Sequence, residues 1–215
     1  MTMIIAVDGE SASGKGTVSK LLAEKLNFSY LDTGLLYRAV GYLAIQQKAL
    51  ENIEVIINIS KNLSEKDLTN KALRGNDVAM IASKVANIPE VREALFDFQV
   101  NFANNPPKGF FGAILDGRDI GSNICPNAQV KFYVCASLEE RANRRYKELV
   151  KSNSNSSYEE IYNSLKARDE NDKSRVIGAL KKVADAIEID NTNLNIQETF
   201  ELMHTYVINI INKKY

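Results

Sequence analysis

Short apolar runs alternate with helical periods along most of the chain. The run from Met3 to Val7 is continuous and stops before Asp8 and Gly9, which is typical of a strand buried on both faces of a parallel sheet. Similar runs at 28–31, 113–115, 131–134 and 186–190 are predicted to be strands. Because helical patterns follow these runs, the sequence predicts an α/β fold. We expect a three-layer core with about five parallel strands and right-handed crossovers.

Helical spacing follows the first strand. Val18, Leu21, Leu22 and Leu26 fall on one face of a helix that Asn27 is expected to end. Three further helices are predicted outside the middle of the chain. The first is capped by Asp32 and buries Leu36, Ala39, Val40 and Leu43. The second begins with a Ser137/Glu140 capping box, and the last buries Phe200, Met203 and Val207.

The middle of the chain has a different pattern. Between residues 50 and 107 the strand-like runs disappear, and Val78, Ile81, Ala82 and Val85 recur at helical spacing. We therefore expect a single domain whose core comprises 1–49 and 108–215, with a mostly helical insertion at about 50–107. Insertions of this kind lie at the ligand end of such sheets, so a substrate-gripping element is expected there.

A glycine-rich loop lies between the first strand and the first helix. Its residues are Gly9, Glu10, Ser11, Ala12, Ser13, Gly14, Lys15, Gly16 and Thr17. Glycines let the backbone N–H groups converge on one point, the helix N-terminus adds partial positive charge, and the lysine reaches the outer phosphates. The loop therefore predicts a P-loop that binds ATP.

The end of this loop narrows the class of enzyme. Gly16 stands where Ser or Thr usually binds magnesium, and Thr17 follows it, so the Thr17 hydroxyl is the candidate for the Mg-ATP end of the site. Gly-Lys-Gly-Thr looks like nucleoside monophosphate kinases rather than switch GTPases. The guanine-reading Asn-Lys-x-Asp motif is absent from the sequence, which also disfavours a GTPase.

Charge and composition exclude other classes. The 215 residues carry 27 Lys plus Arg and 27 Asp plus Glu, so no global field attracts nucleic acid or an anionic membrane. No signal peptide or bilayer-spanning run is expected. Two cysteines, Cys125 and Cys135, form no disulfide framework, which favours a reducing cytoplasm.

The arginines are the candidates for holding phosphate, since phosphoryl transfer requires forked, bidentate contacts and charge neutralisation. Arg118 is the strongest candidate, because it follows a buried strand in Asp116-Gly-Arg-Asp119 at the predicted ligand edge. Eight of the nine arginines, all except Arg74, fall in blocks that could converge on two nucleotides. We therefore expect a positive cleft, with the compensating acids spread elsewhere.

These motifs together resemble bacterial cytidylate kinases over essentially the whole chain. In order along the chain, they are the P-loop, Tyr30-Leu-Asp-Thr-Gly-Leu-Leu-Tyr-Arg38, Ala82-Ser-Lys-Val-Ala86, Pro89-Glu-Val-Arg-Glu-Ala-Leu95, Asp116-Gly-Arg-Asp-Ile-Gly121, Arg168-Asp-Glu-Asn-Asp-Lys-Ser-Arg175 and Ala184-Asp-Ala-Ile-Glu-Ile-Asp190. Two features depart from the family's pattern. Residues 50–75 look short and helical where the family commonly has a small three-stranded sheet, and Thr33 replaces a frequent serine.

The resemblance implies a role for each candidate residue. It implies that Arg38, Arg118 and Arg175 hold the phosphate of CMP, that Ser83, Arg92 and Asp119 read cytosine, and that Arg168 and Asp172 contact the sugar. Thr33, Tyr37 and Asp116 complete the implied substrate site. Arg141, Arg144 and Arg145 correspond to a lid at about 141–168 that closes over ATP, with residues 151–157 as its flexible tip. Lys15, Arg118, Arg145 and Arg175 are the implied catalytic residues.

The resemblance also implies the reaction. MgATP and CMP or dCMP would give ADP and CDP or dCDP, in the cytoplasm and by a monomer that binds neither nucleic acid nor membrane. Two alternatives remain open from the residues alone. One is a kinase for UMP, AMP or another small acceptor on the same core, and the other is a nucleotide-binding switch that signals through its lid.

Overall fold

A computed structural model of the protein describes residues 2–151 and 156–214. The chain divides into two compact units, one formed by the described residues of 1–31 and 103–215 and the other by residues 32–102. The second unit starts earlier than the predicted insertion at about 50–107. In the described part of the chain, no helix is both long and apolar enough to cross a bilayer.

The larger unit is built on a five-stranded parallel sheet. The strands are β1 (Met3–Gly9), β2 (Ser29–Asp32), β3 (Gly112–Gly117), β4 (Val130–Cys135) and β5 (Ile187–Asp190), in the order β2-β3-β1-β4-β5. The helices of the chain are α1 (Lys15–Leu26), α2 (Thr33–Gln46), α3 (Ile53–Lys61), α4 (Asn76–Val85), α5 (Pro89–Asn104), α6 (Leu138–Lys151), α7 (Tyr158–Ser174) and α8 (Ile196–Lys214). The predicted α/β fold with about five parallel strands is confirmed.

The apolar runs form the core of this unit because their side chains are buried on both faces of the sheet. All six residues of β3 are buried, as are six of the seven in β1. Helices α1 and α8 pack against the sheet through Val18, Leu22, Met203 and Val207, which share one apolar cluster with the strands. Burying each such side chain contributes roughly 1.5 to 3 kcal/mol.

The strand register brings the functional loops to one edge. Asp8 of β1 pairs with Gly117 of β3, Gly9 pairs with Val134 of β4, and Cys135 pairs with Asp190 of β5. Since these strands are parallel, their carboxyl ends meet, and the loops that follow β1, β3, β4 and β5 all begin there.

Helix ends match the sequence signals only in part. Asn27 ends α1 in the left-handed conformation, as expected. Asp32 occupies the N-cap position of α2, as predicted, but its side chain makes no capping hydrogen bond. Ser137 Oγ accepts from the Glu140 N–H, yet the Ser137 N–H donates to Thr192 Oγ1. Glu140 instead pairs with Arg144, and only half of the predicted capping box forms.

The smaller unit is helical throughout its described elements. It contains α2, α3, α4 and most of α5, with short 3₁₀ turns at Glu65–Thr69 and Lys71–Arg74. The helical character expected for residues 50–75 is therefore confirmed. Helices α2 and α4 approach closely at Gly41, where an added Cβ would lie 2.8 Å from Ile81 Cγ2, so a side chain there would push the two helices apart.

Candidate active site

The loop from Glu10 to Gly14 lies between β1 and α1, where the sequence predicted a P-loop. Gly9 ends the strand in contact with β4, and a Cβ at that position would come within 2.0 Å of the Val134 carbonyl oxygen. Gly14 is the N-cap of α1, with φ 81° in the left-handed region. Glycine is needed at Gly9 by this close approach and favoured at Gly14 by its φ value.

The start of α1 suits an anion. Gly14 offers no side-chain cap, and the first N–H groups of a helix have no partner within the helix, so they present partial positive charge. Lys15 is buried, with its Nζ 3.2 Å from the Glu10 carbonyl oxygen. The ammonium group therefore lies over the loop, where it can meet a bound phosphate.

Arg141, implied to be a lid residue, is buried behind the loop. Its Nη1 donates to the Ser11 carbonyl oxygen at 3.1 Å and to Asp169 Oδ2 at 2.6 Å, and its Nε donates to the Ala136 carbonyl oxygen. Asp169 Oδ1 in turn accepts from the Ser11 N–H at 3.3 Å. The pair of Arg141 and Asp169 thus fixes the peptide groups on either side of Ser11.

Asn191, which the sequence reading missed, holds the other end of the loop. This buried residue follows β5, and its Nδ2 donates to the Ser13 carbonyl oxygen at 2.8 Å. Its Oδ1 accepts from Arg144 Nη1 at 3.0 Å. The position of Asn191 just after a strand at the ligand edge was the signal that could have identified it.

Arg118 lies one residue beyond β3 and connects the P-loop to α7. Its Nε donates to Asp172 Oδ2 at 2.6 Å, its Nη2 to Ser11 Oγ at 2.8 Å and its Nη1 to the Gly117 carbonyl oxygen at 3.1 Å. Arg175 Nη2 lies 2.5 Å from the other oxygen of Asp172. Two arginines implied to hold one phosphate therefore share one buried carboxylate.

The ionisation of this cluster follows from its charges. Burial alone would raise the pKa of Asp172, but Arg118 and Arg175 outweigh it and lower the pKa below its usual value. Burial would lower the pKa of Arg118, and Asp172 instead raises it. Both groups are therefore charged at neutral pH.

Asp116 lies beside the P-loop at the end of β3. Its Oδ2 accepts a very short hydrogen bond from the Tyr30 hydroxyl, which also lies 3.3 Å from the Gly16 carbonyl oxygen. A Cβ on Gly16 would lie 3.5 Å from both Asp116 Oδ2 and the Tyr30 hydroxyl. Tyr30 is a second residue of this region that the sequence reading did not single out.

Asp8 organises the turn that carries Asp119. Its two oxygens accept the N–H groups of Ile120 and Gly121, each at 2.8 Å, at the start of a π-helical turn spanning Ile120–Ile124. Burial raises the pKa of Asp8 to about 6, against the lowering effect of those two bonds. Asp119 is itself buried, and its Oδ2 accepts from Asn123 Nδ2 at 3.1 Å.

Three acids of the larger unit lie directly against its arginines, where the sequence led us to expect the compensating acids elsewhere. Asp172 pairs with Arg118 and Arg175, while Asp169 and Glu10 pair with Arg141. Buried guanidinium groups require such partners because an unpaired charge loses its hydration.

The smaller unit contains five further predicted substrate residues. Arg38 Nη1 donates to the Leu73 carbonyl oxygen at 2.8 Å. The guanidinium carbon of Arg92 lies 5.4 Å from the centre of the Tyr37 ring, a cation–π contact. Thr33 is buried in the first turn of α2, and Ser83 is half-buried on α4. Within this unit, α2 therefore carries Thr33, Tyr37 and Arg38, and Arg92 contacts it.

The remaining candidates lie on α1, α6 and α7. Thr17 is exposed in the first turn of α1, and Arg168 is half-buried on α7. Arg145 forms a surface ion pair with Glu148 at 2.7 Å. Residues 152–155 of the predicted lid tip lie outside the described residues.

The chain is similar to known proteins over almost its whole length. A family described as cytidylate kinase matches residues 5–209. The chain is 46% identical over 202 residues to the cytidylate kinase of Paramagnetospirillum magneticum, covering 93% of this chain and 95% of that protein. It is 44% identical over 198 residues to the cytidylate kinase of Azorhizobium caulinodans, covering 92% and 94%.

Among solved structures, an uncharacterized protein from Eubacterium ventriosum superposes with a TM-score of 0.54 at 16% identity. The match covers 97% of this chain and 99% of that one. At that identity, the likeness extends to the fold alone.

Proposed function

Because the chain belongs to the cytidylate kinase family, we propose that it transfers the γ-phosphoryl group of ATP to CMP or dCMP. The products are ADP and CDP or dCDP. The observation that carries this proposal is the family match over residues 5–209, which includes both the P-loop and the arginine cluster of Arg118, Asp172 and Arg175.

The donor side is the P-loop. Residues Gly9 to Gly14 and the first turn of α1 bind the phosphates of ATP, and Lys15 neutralises the outer ones. Glu10, Ser11, Ala12 and Ser13 contribute through their backbone. The support for this role is the uncapped start of α1 and the left-handed Gly14.

On the acceptor side, arginines hold the phosphate of CMP. The three bonds of Arg118 use three of the five N–H donors of its guanidinium group, and the other two suit phosphate oxygens. Arg175 donates to the same phosphate, and the resemblance to the family gives Arg38 of the smaller unit a phosphate-binding role as well. In-line attack by an anionic CMP oxygen on the γ-phosphorus requires no protein nucleophile, so catalysis consists of positioning and charge stabilisation.

Base and sugar recognition use the remaining candidates. A carboxylate accepts from the cytosine amino group while Ser and Arg donate to its carbonyl and ring nitrogen, a pattern that uracil inverts at the amino position. Asp119, Ser83 and Arg92 take these roles, and Arg168 and Asp172 contact the sugar. Thr33, Tyr37 and Asp116 complete the substrate site.

Magnesium fits the donor set as a partner of ATP. The described residues contain no cluster of three acidic, His or Cys side chains that could hold a metal alone, and Mg²⁺ usually keeps several waters and binds mainly through phosphates. Thr17, exposed in the first turn of α1, would supply a hydroxyl ligand. When bound, Mg²⁺ neutralises charge on the β- and γ-phosphates.

The lid and the cellular setting complete the proposal. Arg144 and Arg145 on α6 act near ATP, with Arg145 contributing to charge stabilisation, and closure excludes water. The enzyme acts as a monomer in the cytoplasm. The two free thiols, Cys125 and Cys135, are compatible with a reducing compartment.

An ADP-release assay with MgATP and CMP, dCMP, UMP or AMP tests the proposal. CMP and dCMP should support fast turnover and UMP should not, because the Asp119 carboxylate accepts from the cytosine amino group and rejects the uracil carbonyl. Fast turnover on UMP without turnover on dCMP would reject the substrate assignment. Acceptor-independent ATP binding with no turnover would favour a nucleotide-binding switch instead.

A further inference from the structure

The side chain of Asn191 connects the P-loop to helix α6. Its Nδ2 donates to the Ser13 carbonyl oxygen at 2.8 Å, and its Oδ1 accepts from Arg144 Nη1 at 3.0 Å. A carbonyl oxygen only accepts and a guanidinium only donates, so these two partners fix which way the amide faces. With 2% of its surface exposed, Asn191 is shielded from water that could substitute for either bond.

The backbone of Asn191 is held as firmly as its side chain. Its N–H donates to the Cys135 carbonyl oxygen at 2.9 Å, and its carbonyl oxygen accepts from Arg144 Nη2 at 2.6 Å. Arg144 is in turn oriented by Glu140, whose Oε1 lies 2.9 Å from its Nε. The amide therefore reaches the loop from a rigid base at the end of β5.

The bond to Ser13 determines where the next N–H points. The described chain contains no cis peptide bond, and in a trans peptide the C=O and N–H groups point in opposite directions. Holding the Ser13 carbonyl oxygen toward Asn191 thus turns the Gly14 N–H to the opposite side of the loop. Gly14 adopts a left-handed φ of 81° at the start of α1, and as a glycine it has no Cβ to restrict that angle.

Arg141 acts on the loop in the same way, two peptides earlier. Its Nη1 donates to the Ser11 carbonyl oxygen at 3.1 Å, which turns the Ala12 N–H away from Arg141. The Ser11 carbonyl is therefore held by Arg141 of α6. The Ser13 carbonyl is held by Asn191 at the end of β5, and Arg144 of α6 holds Asn191 in place.

We propose that Asn191 is a positioning residue for phosphate binding, which directs the Gly14 N–H toward the phosphates of the donor nucleotide. The proposal rests on the proposed function, because it assigns those phosphates to ATP. Asn191 acts through Ser13 and Gly14 and need not touch the nucleotide. The proposal also gives Arg144, which holds Asn191 in place, a role in shaping the P-loop.

Two substitutions at Asn191 test the hydrogen bond to Ser13, one with and one without an acceptor for Arg144. Asn191→Asp keeps an oxygen acceptor for Arg144 and loses the donor to Ser13, whereas Asn191→Leu loses both at similar size. Losing one hydrogen bond of this kind corresponds to about a tenfold loss of affinity. Both variants should bind inorganic triphosphate and ATP about tenfold more weakly by calorimetry, with binding of CMP alone unchanged and kcat reduced.

Gln197→Leu is the matched control. Gln197 is an exposed amide on α8 whose Nε2 donates to Glu201, so its loss should leave triphosphate binding unchanged. Wild-type affinity of Asn191→Asp for triphosphate would overturn the proposal, as would an equal loss of CMP and triphosphate binding. Triphosphate binding can be measured without CMP, so it does not depend on the proposed phosphoryl transfer. A wild-type chain that binds triphosphate but does not phosphorylate CMP would contradict the proposed function alone.

Discussion

Arg118, which is partly exposed, forms an ion pair with the buried carboxylate of Asp172, with Arg118 Nε 2.6 Å from Asp172 Oδ2. The second oxygen of the same carboxylate lies 2.5 Å from Arg175 Nη2. One acid therefore holds two guanidinium groups whose charges would otherwise repel each other. The residues proposed to hold the CMP phosphate are thus oriented by contacts within the protein, and little reorganisation is needed on binding.

Arg118→Ala is expected to lower turnover with MgATP and CMP by at least ~10³, because it removes the forked donor that positions and neutralises the attacking phosphate of CMP. The variant should still fold, since Arg175 remains paired with Asp172. Arg118→Lys, which keeps the charge without the fork, should retain an intermediate rate. Steady-state ADP release measures both rates, and near-normal turnover of Arg118→Ala would contradict the mechanism.

Lys15→Ala should lower turnover by a similar factor of at least ~10³ while thermal unfolding stays cooperative. The Lys15 ammonium group lies 3.2 Å from the Glu10 carbonyl oxygen, a contact the fold can replace with water. Lys20→Ala, an exposed lysine on the same helix, is the control. Equal rates for the two variants would exclude a phosphate-binding role for Lys15.

Two neighbouring arginines on α6 should respond differently to alanine. Arg141→Ala leaves the buried carboxylate of Asp169 without its 2.6 Å partner, so we expect a loss of about 3 to 5 kcal/mol in the free energy of unfolding. Arg145→Ala breaks a surface pair with Glu148 and should change stability by less than ~1 kcal/mol. It should lower turnover about 10³-fold if Arg145 neutralises the phosphoryl group.

Urea unfolding and ADP release on the same two proteins check this prediction. A stable Arg141→Ala protein would show that the contacts behind Ser11 are dispensable. Full activity of Arg145→Ala would remove Arg145 from the catalytic residues.

Two P-loop glycines should tolerate alanine differently. A Cβ at Gly9 would lie 2.0 Å from the Val134 carbonyl oxygen, a backbone atom that cannot move alone, whereas a Cβ at Gly16 meets its nearest atoms at 3.5 Å. We therefore expect Gly9→Ala to destabilise the protein by at least ~2 kcal/mol and Gly16→Ala to change stability little. Equal unfolding midpoints in urea would contradict the close approach of β1 and β4.

The sequence predicted the elements whose signals are local. The P-loop and the strand after which Arg118 lies could be located because apolar runs, glycines and helical spacing all fall within about a dozen residues. Position at the carboxyl end of a parallel strand then indicated the site for Arg118. The roles implied for Ser83 and Arg92 came from resemblance, since neither has a local signal.

Contacts between distant residues could not be predicted in this way. Asn191 and Ser13 are 178 residues apart, and Asp8 and Ile120 are 112 apart, so no local pattern links them. The buried position of Arg141 was missed for the same reason. A solvated lid arginine and a buried arginine paired with Asp169 look alike on a helix that is rich in charge.

The pH dependence of the free energy of unfolding should reveal the titration of Asp8, which is buried near the end of β1. Its pKa is raised by burial from 3.8 to about 6 in the folded protein, with Asp119 adding to this and Lys15 opposing it. The folded state therefore binds this proton more tightly than the unfolded state. Stability should fall as pH rises from about 4 to about 6, by on the order of 3 kcal/mol.

Asp8→Asn isolates this contribution, because the amide cannot ionise. Its free energy of unfolding relative to wild type should increase by on the order of 3 kcal/mol between pH 4 and pH 6 and then level off. One of the two N–H groups, of Ile120 or Gly121, would face the amide NH₂, so a constant offset is expected at all pH values. Urea unfolding at half-unit pH steps measures the difference, and a flat difference would mean that Asp8 titrates normally.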